Sequence, residues 1–340
     1  MLYNIQSAPA SYLEASRITK LPILLLGIHD QCNCRCVMCD IWNRKNGLAL
    51  QASALERHRE SIRILGVRQV VLSGGEPLMN RELKEICQFF QDLGVRITLL
   101  TTGRLLHQKA QTVASWVDDV IISIDGPPPI HDQIRRVDGI FASIQQGIVA
   151  VRTYRTGMPI SCRTTVQKLN HAYLRSTVQA VKALQLDSIS FLSADVSSEA
   201  FNRQGGWTEQ RQNEIMLTRD ELRVLENEIE NLIATHQEDI RTGFIVENSA
   251  KLRRLADRFR EYLYHLSPKS PLCNAPWVSA VVDVDGSVRP CFFHPTVSNV
   301  NQLTLEEAVN SETALNFRNT LDVANNPTCQ RCVCSLNYRQ

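Results

Sequence analysis

Short apolar segments alternate with longer amphipathic ones from residue 22 to about residue 195. The apolar segments predict six β-strands, at 22–29, 69–73, 95–102, 119–125, 159–167 and 188–194. Apolar residues at helical spacing lie between them and predict helices at about 52–65, 80–93, 105–116, 139–156 and 173–185. Strands that alternate with helices form parallel βαβ units with right-handed crossovers. We therefore expect an α/β fold, a partial (β/α)6 barrel whose chemistry lies at the carboxyl ends of the strands.

The alternation ends after residue 195, where the chain becomes polar up to Gly206 and Trp207 follows. Two further helices are predicted at about 218–236 and 247–265, and prolines at 268, 271 and 276 then indicate a boundary. Beyond it, Asp285-Gly286 between two apolar segments is typical of a β-hairpin. We expect an N-terminal segment (1–21), the barrel (22–195), a helical connection that is a candidate pocket element (196–270) and a small cysteine-rich domain (271–340).

The charge balance argues against binding that is driven by a strongly charged surface. The chain has 37 Lys and Arg against 35 Asp and Glu, a net charge of +2, so we expect neither a nucleic acid nor a membrane surface as partner. The longest apolar segment, 21–28, contains a proline and is shorter than the roughly 20 residues of a membrane span. No small-x-small cleavage site follows it, as a signal peptide requires. We expect a cytoplasmic protein.

The eleven cysteines lie mostly in two clusters, four between residues 32 and 39 and five after residue 270. In a cytoplasmic chain such clusters indicate metal sites before disulfides. Directly after the first strand, Cys32, Cys36 and Cys39 have the spacing Cys-x3-Cys-x2-Cys. Three thiolates on one tight loop can hold three irons of a cubane cluster and leave the fourth iron open. A zinc site with Cys34 as its fourth ligand is the alternative, since structural zinc takes four closed ligands.

A second motif, Ser73-Gly74-Gly75-Glu76-Pro77, follows the second strand. The two glycines allow the backbone to approach a ligand closely, and Glu76 can accept hydrogen bonds from an ammonium group. By itself the motif is compatible with an ordinary turn between a strand and a helix. Here, however, the motif follows the cysteine loop by one strand–helix unit, and this combination is much more specific than either motif alone.

The two motifs together resemble those of the radical S-adenosylmethionine (SAM) superfamily. The resemblance implies that the open iron chelates SAM, which is reductively cleaved to a 5′-deoxyadenosyl radical that abstracts a substrate hydrogen. Thr101-Thr102-Gly103 and Ser123-Ile124-Asp125-Gly126-Pro127 extend it. By this resemblance Ser123 and Asp125 lie near the SAM ribose and Arg135 near its carboxylate, unless Asp125 and Arg135 form a surface ion pair. The full set of implied SAM contacts is Gly74, Gly75, Glu76, Pro77, Thr102, Ser123, Asp125 and Arg135. Cys34 is expected to be a small packed side chain that binds no iron.

In the second cluster, the predicted hairpin lies between Cys273 and Cys291, and Cys329-x2-Cys332 is close to the terminus. Four thiolates can form a closed site for zinc or for an iron–sulfur cluster. The pattern resembles the twitch domain of radical SAM enzymes, a shortened SPASM domain. That resemblance implies one auxiliary 4Fe-4S cluster, for electron transfer or for support of the pocket. Cys334 is the alternative to Cys332 as its fourth ligand.

The substrate is less defined by the sequence. We expect oxidation or epimerisation of a small polar metabolite such as a sugar or an aminocyclitol, with a low-potential donor such as flavodoxin or ferredoxin. Phe292 follows Cys291 where sulfatase-maturing relatives have an acidic base, and 31 residues precede Cys32, which we expect to be too few for a leader-binding domain. A peptide-modifying (RiPP-type) maturase is the alternative. A non-catalytic zinc or iron–sulfur protein, structural or electron-carrying, is the alternative from another class.

Some side chains are candidates for contact with the substrate: Arg163, Ser193, Asp195, Trp207 and His294. Cys162 is a candidate hydrogen donor to a substrate radical, because epimerisation needs a donor on the opposite face and a thiol serves well. A small core residue is the alternative for this strand cysteine.

Overall fold

The computed structural model describes residues 16–268 and 270–338. Of the predicted N-terminal segment, residues 1–15 lie outside this range, as does the end of the predicted C-terminal domain at 339–340. The described strands are β1 (Ile23–His29), β2 (Gln69–Gly74), β3 (Arg96–Thr101), β4 (Asp119–Ser123), β5 (Ile160–Val166), β6 (Ser188–Ser193), β7 (Ser279–Val282), β8 (Ser287–Arg289) and β9 (Ser298–Asn299).

Helices follow the strands in the predicted alternation. In the first part of the chain they are α1 (Arg59–Ile64), α2 (Leu83–Asp92), α3 (Ala110–Trp116), α4 (Pro128–Arg135), α5 (Ile140–Tyr154) and α6 (Leu174–Ala183). After β6 come α7 (Glu209–Asn213), α8 (Arg219–Thr235), α9 (Gln237–Thr242), α10 (Ser249–Tyr264), α11 (Ala275–Val278), α12 (Leu305–Val309), α13 (Glu312–Thr320) and α14 (Pro327–Gln330). Short 3-10 helices span Ile41–Asn43, Ala52–His58 and Pro77–Met79.

The first six strands form one parallel sheet in the order β6-β5-β4-β3-β2-β1. This confirms the predicted parallel α/β architecture. Along β4, β5 and β6 fully buried side chains alternate with partly buried ones. Ile122 of the buried set lies beside Ile144 of α5, where a side chain at Gly103 would meet both. The buried face is therefore covered by helices, and the other face lines the interior of the open barrel.

The C-terminal hairpin continues the same sheet. β7 pairs in parallel with β1, from Ile23 beside Ser279 to Leu26 beside Val282, and β8 pairs antiparallel with β7. Gly27 suits this close approach, because a Cβ there would lie 3.2 Å from the Val284 nitrogen, tighter than most such contacts. The predicted hairpin is thus present, and it brings the second cysteine cluster to the β1 edge of the barrel.

The connection after β6 covers the opposite edge. Its two main helices, α8 and α10, lie where the sequence predicts them. The backbone of Phe244 accepts a hydrogen bond from Ile189 of β6, and Val246 donates one back, so this segment extends the sheet by one short bridge. The Ser193 hydroxyl, a predicted substrate contact, donates instead to the Leu255 carbonyl of α10.

The proposed division of the chain at residues 22, 196 and 271 stays a prediction. Among the described residues, no helix is long and apolar enough to cross a membrane.

Candidate cofactor-binding site

The first cysteine loop, residues 30–40, lies at the carboxyl end of β1 and is held by its backbone. Arg35 and Val37 donate backbone hydrogen bonds to Arg135 and Ile134 at the end of α4. Cys34 and Cys36 are buried, while Cys32 and Cys39 are partly buried. The loop is therefore anchored by the barrel itself.

Gly74 and Gly75 bring the end of β2 against this loop. The Gly75 nitrogen donates to the His29 carbonyl at 2.7 Å. A Cβ on Gly74 would lie 2.3 Å from that carbonyl oxygen, and one on Gly75 would lie 2.1 Å from the Gln31 carbonyl oxygen. Gly74 also has a φ of +123°, which side chains disfavour. Both glycines are thus explained by backbone packing, and their direct approach to SAM stays a prediction.

Glu76 is fully buried and has four protein donors. Its Oε1 accepts from the Leu78 nitrogen at 3.0 Å and the Thr101 hydroxyl at 2.7 Å. Its Oε2 accepts from both the nitrogen and the hydroxyl of Thr102, each at 2.7 Å. A carboxylate has about four acceptor positions, so all of them are occupied. Glu76 joins β2 to the end of β3, and the predicted contact with the SAM ammonium group requires the exchange of one of these bonds. Pro77 is buried at the start of the following 3-10 turn.

Asp125 and Arg135 form a buried ion pair next to the first cysteine loop. Arg135 lies 2.5 Å from the Asp125 carboxylate and also donates to the Cys36 sulfur at 3.3 Å. The other carboxylate oxygen accepts from the Thr165 nitrogen at 2.9 Å. A surface pair, the alternative considered above, is therefore wrong, because both side chains are inside the protein. Ser123 is partly buried on the interior face in register with Arg163, and its contact with SAM stays a prediction.

The pKa values in this loop are moved in opposite directions. A hydrogen bond from Cys34 and the charge of Arg135 outweigh burial and lower the pKa of Cys36 below its usual range. Hydrogen bonds to Cys32 and Cys36, with burial, raise the pKa of Cys34. Burial and the charge of Cys36 raise the pKa of Cys39 to about 12. In the structure the Cys34 thiol donates to the Asn33 side-chain oxygen at 3.6 Å, and its place outside the iron ligands stays a prediction.

The residues around the loop fit a polar cofactor beside an iron–sulfur cluster. Soft thiolate ligands suit iron–sulfur clusters. Several buried polar atoms at this end of the barrel have no hydrogen-bond partner in the described structure, among them Asp30 Oδ1, Asn33 Nδ2 and Gln167 Oε1. SAM carries an ammonium, a carboxylate, ribose hydroxyls and adenine nitrogens, which match such donors and acceptors.

Three side chains of the connection, Arg203, Trp207 and Arg211, close over the loop and form what we call the arginine clamp. Arg203 pairs with Asp195 at 3.0 Å and donates to the Met38 carbonyl at 2.6 Å. Its guanidinium carbon lies 3.7 Å from the centroid of the Trp207 ring, and that of Arg211 lies 4.6 Å from it.

Trp207 and Arg211 of the clamp also form hydrogen bonds with the loop. The Trp207 indole donates to the Asp40 carboxylate, and Arg211 donates to the Val37 carbonyl. Asp195 and Trp207, predicted as substrate contacts, therefore take part in holding the loop, and their contact with a substrate stays a prediction. Sequence reasoning missed Arg203 and Arg211, and the only available signal was two arginines on either side of a tryptophan in an otherwise polar segment.

The second cysteine group consists of Cys273, Cys291, Cys329 and Cys332, which are all partly buried. Burial, together with the charges of Cys291 and Cys273, raises the pKa of Cys329 to about 12, and burial with neighbouring cysteine charges does the same for Cys332. Cys273 and Cys291 thus lie close enough to Cys329 and Cys332 for their charges to affect those two pKa values. Cys334 is exposed, and its backbone nitrogen donates to the Cys332 sulfur at 3.4 Å. This geometry favours Cys332 over Cys334 as the fourth ligand.

In the parts of the chain that the structure describes, no three His, Cys, Asp or Glu side chains converge closely enough to share one metal ion. A cubane cluster binds each cysteine through a different iron, so its ligands stand farther apart.

Two other predicted residues lie elsewhere than expected. Cys162 is 2% exposed and is in register with Ile122 and Ile189, on the helix-covered face of the sheet. The prediction of Cys162 as a hydrogen donor is therefore not supported by its placement, since the barrel interior is on the other face. His294 contacts the Cys329 sulfur and not the barrel interior. Arg163 does face the interior, with its Nε 3.4 Å from the Ser190 hydroxyl.

A cavity of about 150 Å³ lies between the first cysteine loop and the hairpin. Ser73 and Gly74 of β2 and Ile41 after the loop form one side. Its remaining lining includes charged and aromatic side chains: Arg44, Glu199, Phe201, Asp283, Arg289 and Phe292. Phe292 directly follows Cys291, so the cavity touches the surroundings of both cysteine groups.

Comparison with known proteins matches both halves of this arrangement. The family model of the radical SAM superfamily matches residues 27–165, and that of the SPASM iron–sulfur cluster-binding domain matches residues 273–333. The AdoMet-dependent heme synthase of Methanosarcina barkeri is 30% identical over 158 residues, 45% of each chain. A probable GTP 3′,8-cyclase of Methanococcus maripaludis is 31% identical over 127 residues, 36% of this chain and 43% of the relative. The chain thus spans less than half the length of these relatives.

Solved structures show the same fold at lower identity. The structure of anSMEcpe with bound AdoMet and the Cp18Cys peptide has a TM-score of 0.64 and 18% identity, covering 87% of this chain and 82% of that one. Streptococcus suis SuiB bound to the precursor peptide SuiA has a TM-score of 0.65 and 15% identity, covering 96% and 73%.

The matched domains imply SAM with a 4Fe-4S cluster in the barrel and an auxiliary iron–sulfur cluster at the C-terminus. The chain therefore contains a radical SAM domain and a C-terminal SPASM iron–sulfur domain, the combination found in radical SAM enzymes with a SPASM domain.

Proposed function

We propose that this radical SAM enzyme acts on a small polar metabolite, which it oxidises or epimerises in the cavity between the two cysteine groups. Cys32, Cys36 and Cys39 are the proposed ligands of the SAM-binding cluster. The proposed ligands of one auxiliary 4Fe-4S cluster are Cys273, Cys291, Cys329 and Cys332. The observation that carries the proposal is the cavity itself, whose wall includes Ile41 beside the first loop and Phe292 beside the second group.

Held by Cys32, Cys36 and Cys39, the barrel cluster together with SAM would supply the radical chemistry that removes a hydrogen atom from the substrate. The chain's own part is to hold these groups in place. Arg135 supports the Cys36 sulfur from inside the barrel. The unpaired atoms of Asn33 and Gln167 offer one donor and one acceptor to SAM. Ser123, Asp125 and Thr102 remain proposed SAM contacts at the ends of their strands.

The charges of the cavity support a polar substrate. Arg289 pairs with Asp283 at 2.6 Å, and Glu199 and Arg44 add one charge of each sign. Such a lining orients polar groups by hydrogen bonds and charge. The relatives reported above do not name a sugar or an aminocyclitol, so the proposal goes no further than a small polar metabolite.

A peptide is the second candidate substrate. It is supported by the two structural neighbours, which are structures with bound peptides. In that case Glu199, which is exposed at the rim, would contact the peptide backbone outside the cavity. One side chain of the peptide would enter the cavity. A flavodoxin or a ferredoxin is the proposed electron donor in either case.

The test is SAM cleavage by reconstituted protein under anaerobic conditions. With dithionite and SAM, the protein should release 5′-deoxyadenosine, and the Cys32→Ala, Cys36→Ala, Cys39→Ala triple variant should not. Cleavage that persists in the triple variant contradicts the ligand assignment.

The substrate is then sought by deuterium transfer. Perdeuterated metabolite extract and deuterated peptide pools are offered separately, and the deuterium content of 5′-deoxyadenosine is measured by mass spectrometry. Label from the metabolite pool supports the first candidate, and label only from the peptide pool overturns it in favour of the second.

A further inference from the structure

His294 is buried within the second cysteine group, where the proposed function leaves it without a role. It is 5% exposed and lies three residues after Cys291, to whose carbonyl its backbone nitrogen donates. Its ring packs edge-on against Phe317, with the ring centroids 4.8 Å apart. These contacts bury the imidazole inside the second cysteine group.

The imidazole Nε2 lies 3.3 Å from the Cys329 sulfur. A cysteine that binds iron has lost its proton, so in the cluster-bound protein the hydrogen of this contact must come from Nε2. Within the described residues, His294 is the only group that donates a hydrogen bond to this sulfur. Cys332, in contrast, receives a backbone hydrogen bond from Cys334.

We propose that His294 is a positioning residue that raises the reduction potential of the auxiliary cluster through an Nε2–H hydrogen bond to the Cys329 sulfur. One-electron reduction increases the negative charge on the ligating sulfurs, and a hydrogen-bond donor stabilises that charge. Hydrogen bonds to sulfur are among the factors that set cluster potentials. The inference rests on the proposed function in one respect, namely that Cys329 is a ligand of the auxiliary cluster.

The experiment is a potentiometric titration of the reconstituted holoenzyme, followed by electron paramagnetic resonance, with the SAM-binding cluster as the internal reference. SAM perturbs the signal of the cluster with an open iron and identifies it. The His294→Leu variant should shift the midpoint of the other signal to a more negative value. We expect about a tenfold change in the equilibrium constant for reduction, which is about 59 mV for a one-electron couple. The midpoint potential of the SAM-binding cluster should not change.

Two further variants separate hydrogen bonding from packing. His294→Gln keeps a side-chain N–H donor and should restore part of the shift. Phe317→Leu removes the aromatic neighbour but no hydrogen bond to sulfur, and it should leave the midpoint unchanged. An unchanged midpoint in His294→Leu overturns the inference, as does an equal shift in Phe317→Leu.

Iron analysis distinguishes failure of the inference from failure of the proposed function. If His294→Leu loses about four irons, the histidine is needed for assembly of the cluster, and a role limited to its potential is wrong. If Cys329→Ala retains all its iron, the ligand assignment itself is wrong. If Cys329→Ala loses iron while His294→Leu titrates like the wild type, only the inference fails.

Discussion

The two cysteine groups differ in how much of their structure is provided by the surrounding protein. In the first loop, three arginines donate to backbone carbonyls: Arg104 to Asn33 at 2.5 Å, Arg203 to Met38 at 2.6 Å, and Arg211 to Val37. Arg104 comes from the segment after β3, and the other two belong to the arginine clamp of the connection. The loop is therefore shaped by side chains that need no metal.

The second group has fewer such contacts. Its segments are joined by amide contacts, in which Asn274 donates to the Tyr338 carbonyl and Asn326 caps the short helix α14 that carries Cys329. Its four candidate ligands are all partly buried, and Cys334 beside them is exposed.

The thiols of the two groups differ less than their backbone contacts. Cys36 has a lowered pKa because Cys34 and Arg135 stabilise its thiolate, but burial raises the pKa of Cys39 in the first loop to about 12, as it does for Cys329 and Cys332. Metal binding must therefore displace protons in both groups at neutral pH. The comparison indicates that the first loop is largely formed before iron binds, and that the second group depends on its cluster for closure.

Removal of the second cluster is the strongest test of this difference. With Ala at Cys273, Cys291, Cys329 and Cys332, the iron content should fall from about eight to about four per chain, the amount in one cubane. Hydrogen exchange should then accelerate in residues 273–338, since metal binding contributes folding free energy there. The first loop should keep its protection and some formation of 5′-deoxyadenosine.

Cys334→Ala is the matched control, because it removes a neighbouring exposed thiol. It should retain about eight irons. Unchanged iron in the fourfold variant, or a loss of zinc in its place, contradicts the auxiliary cluster, and loss of iron in Cys334→Ala moves the fourth ligand to that residue.

Loss of the arginine clamp should weaken iron binding by the first loop but not by the second cysteine group. Arg203→Met leaves the Asp195 carboxylate buried without its partner, which costs about 3–5 kcal/mol for pairs of this kind. The free energy of unfolding should fall by that amount in urea titrations, and iron should be lost faster from the SAM-binding cluster than from the auxiliary one. Arg253→Met is the control: it breaks an exposed pair with Glu230 and should change stability little. Equal rates of iron loss from both clusters in Arg203→Met would mean that the clamp does not act on the loop.

The sequence predicts the barrel well because its signals are local. The alternation along β4, β5 and β6 marks one face as buried, and the observed strands begin within about one residue of the prediction. The spacing of Cys32, Cys36 and Cys39 likewise indicates their chemistry without any knowledge of the fold.

The contacts that sequence reasoning did not foresee join distant parts of the chain. Glu76 has the chemistry to bind an ammonium group, but the sequence does not show that Thr101 and Thr102 reach it first. Trp207 is 167 residues from its partner Asp40, and His294 is 35 residues from Cys329. No local pattern specifies such pairs, because they are set by how the connection and the C-terminal segment fold back over the strands.

The role of Glu76 can be decided by comparing it with one of its own donors. Glu76→Gln turns an amide NH2 toward groups that are themselves donors, so the free energy of unfolding should fall by about 1.5–3 kcal/mol. If Glu76 acts by joining β2 to β3, the SAM Kd should change by less than the roughly tenfold that loss of one charge-assisted hydrogen bond produces. Thr101→Val removes only one of the donors to Glu76, so it should lower the free energy of unfolding by a smaller amount. A SAM Kd raised tenfold or more in a Glu76→Gln protein of normal stability establishes the direct contact instead.

The smallest effect is expected at Cys162, a cysteine that belongs to neither group. It packs between Ile122 and Ile189 on the helix side of β5, and burial raises its pKa well above the usual value, so it is a neutral core thiol. Cys162→Ala removes one sulfur atom from this layer and should cost about 1 kcal/mol, near the average for a point substitution. Iron content, release of 5′-deoxyadenosine and the stereochemistry of the product should all match the wild type, because the strand separates this thiol from the barrel interior. The prediction is wrong if the variant folds and cleaves SAM normally but no longer inverts a substrate centre. In that case Cys162 reaches the substrate, and it lies on the interior face of the sheet and not on the helix-covered face.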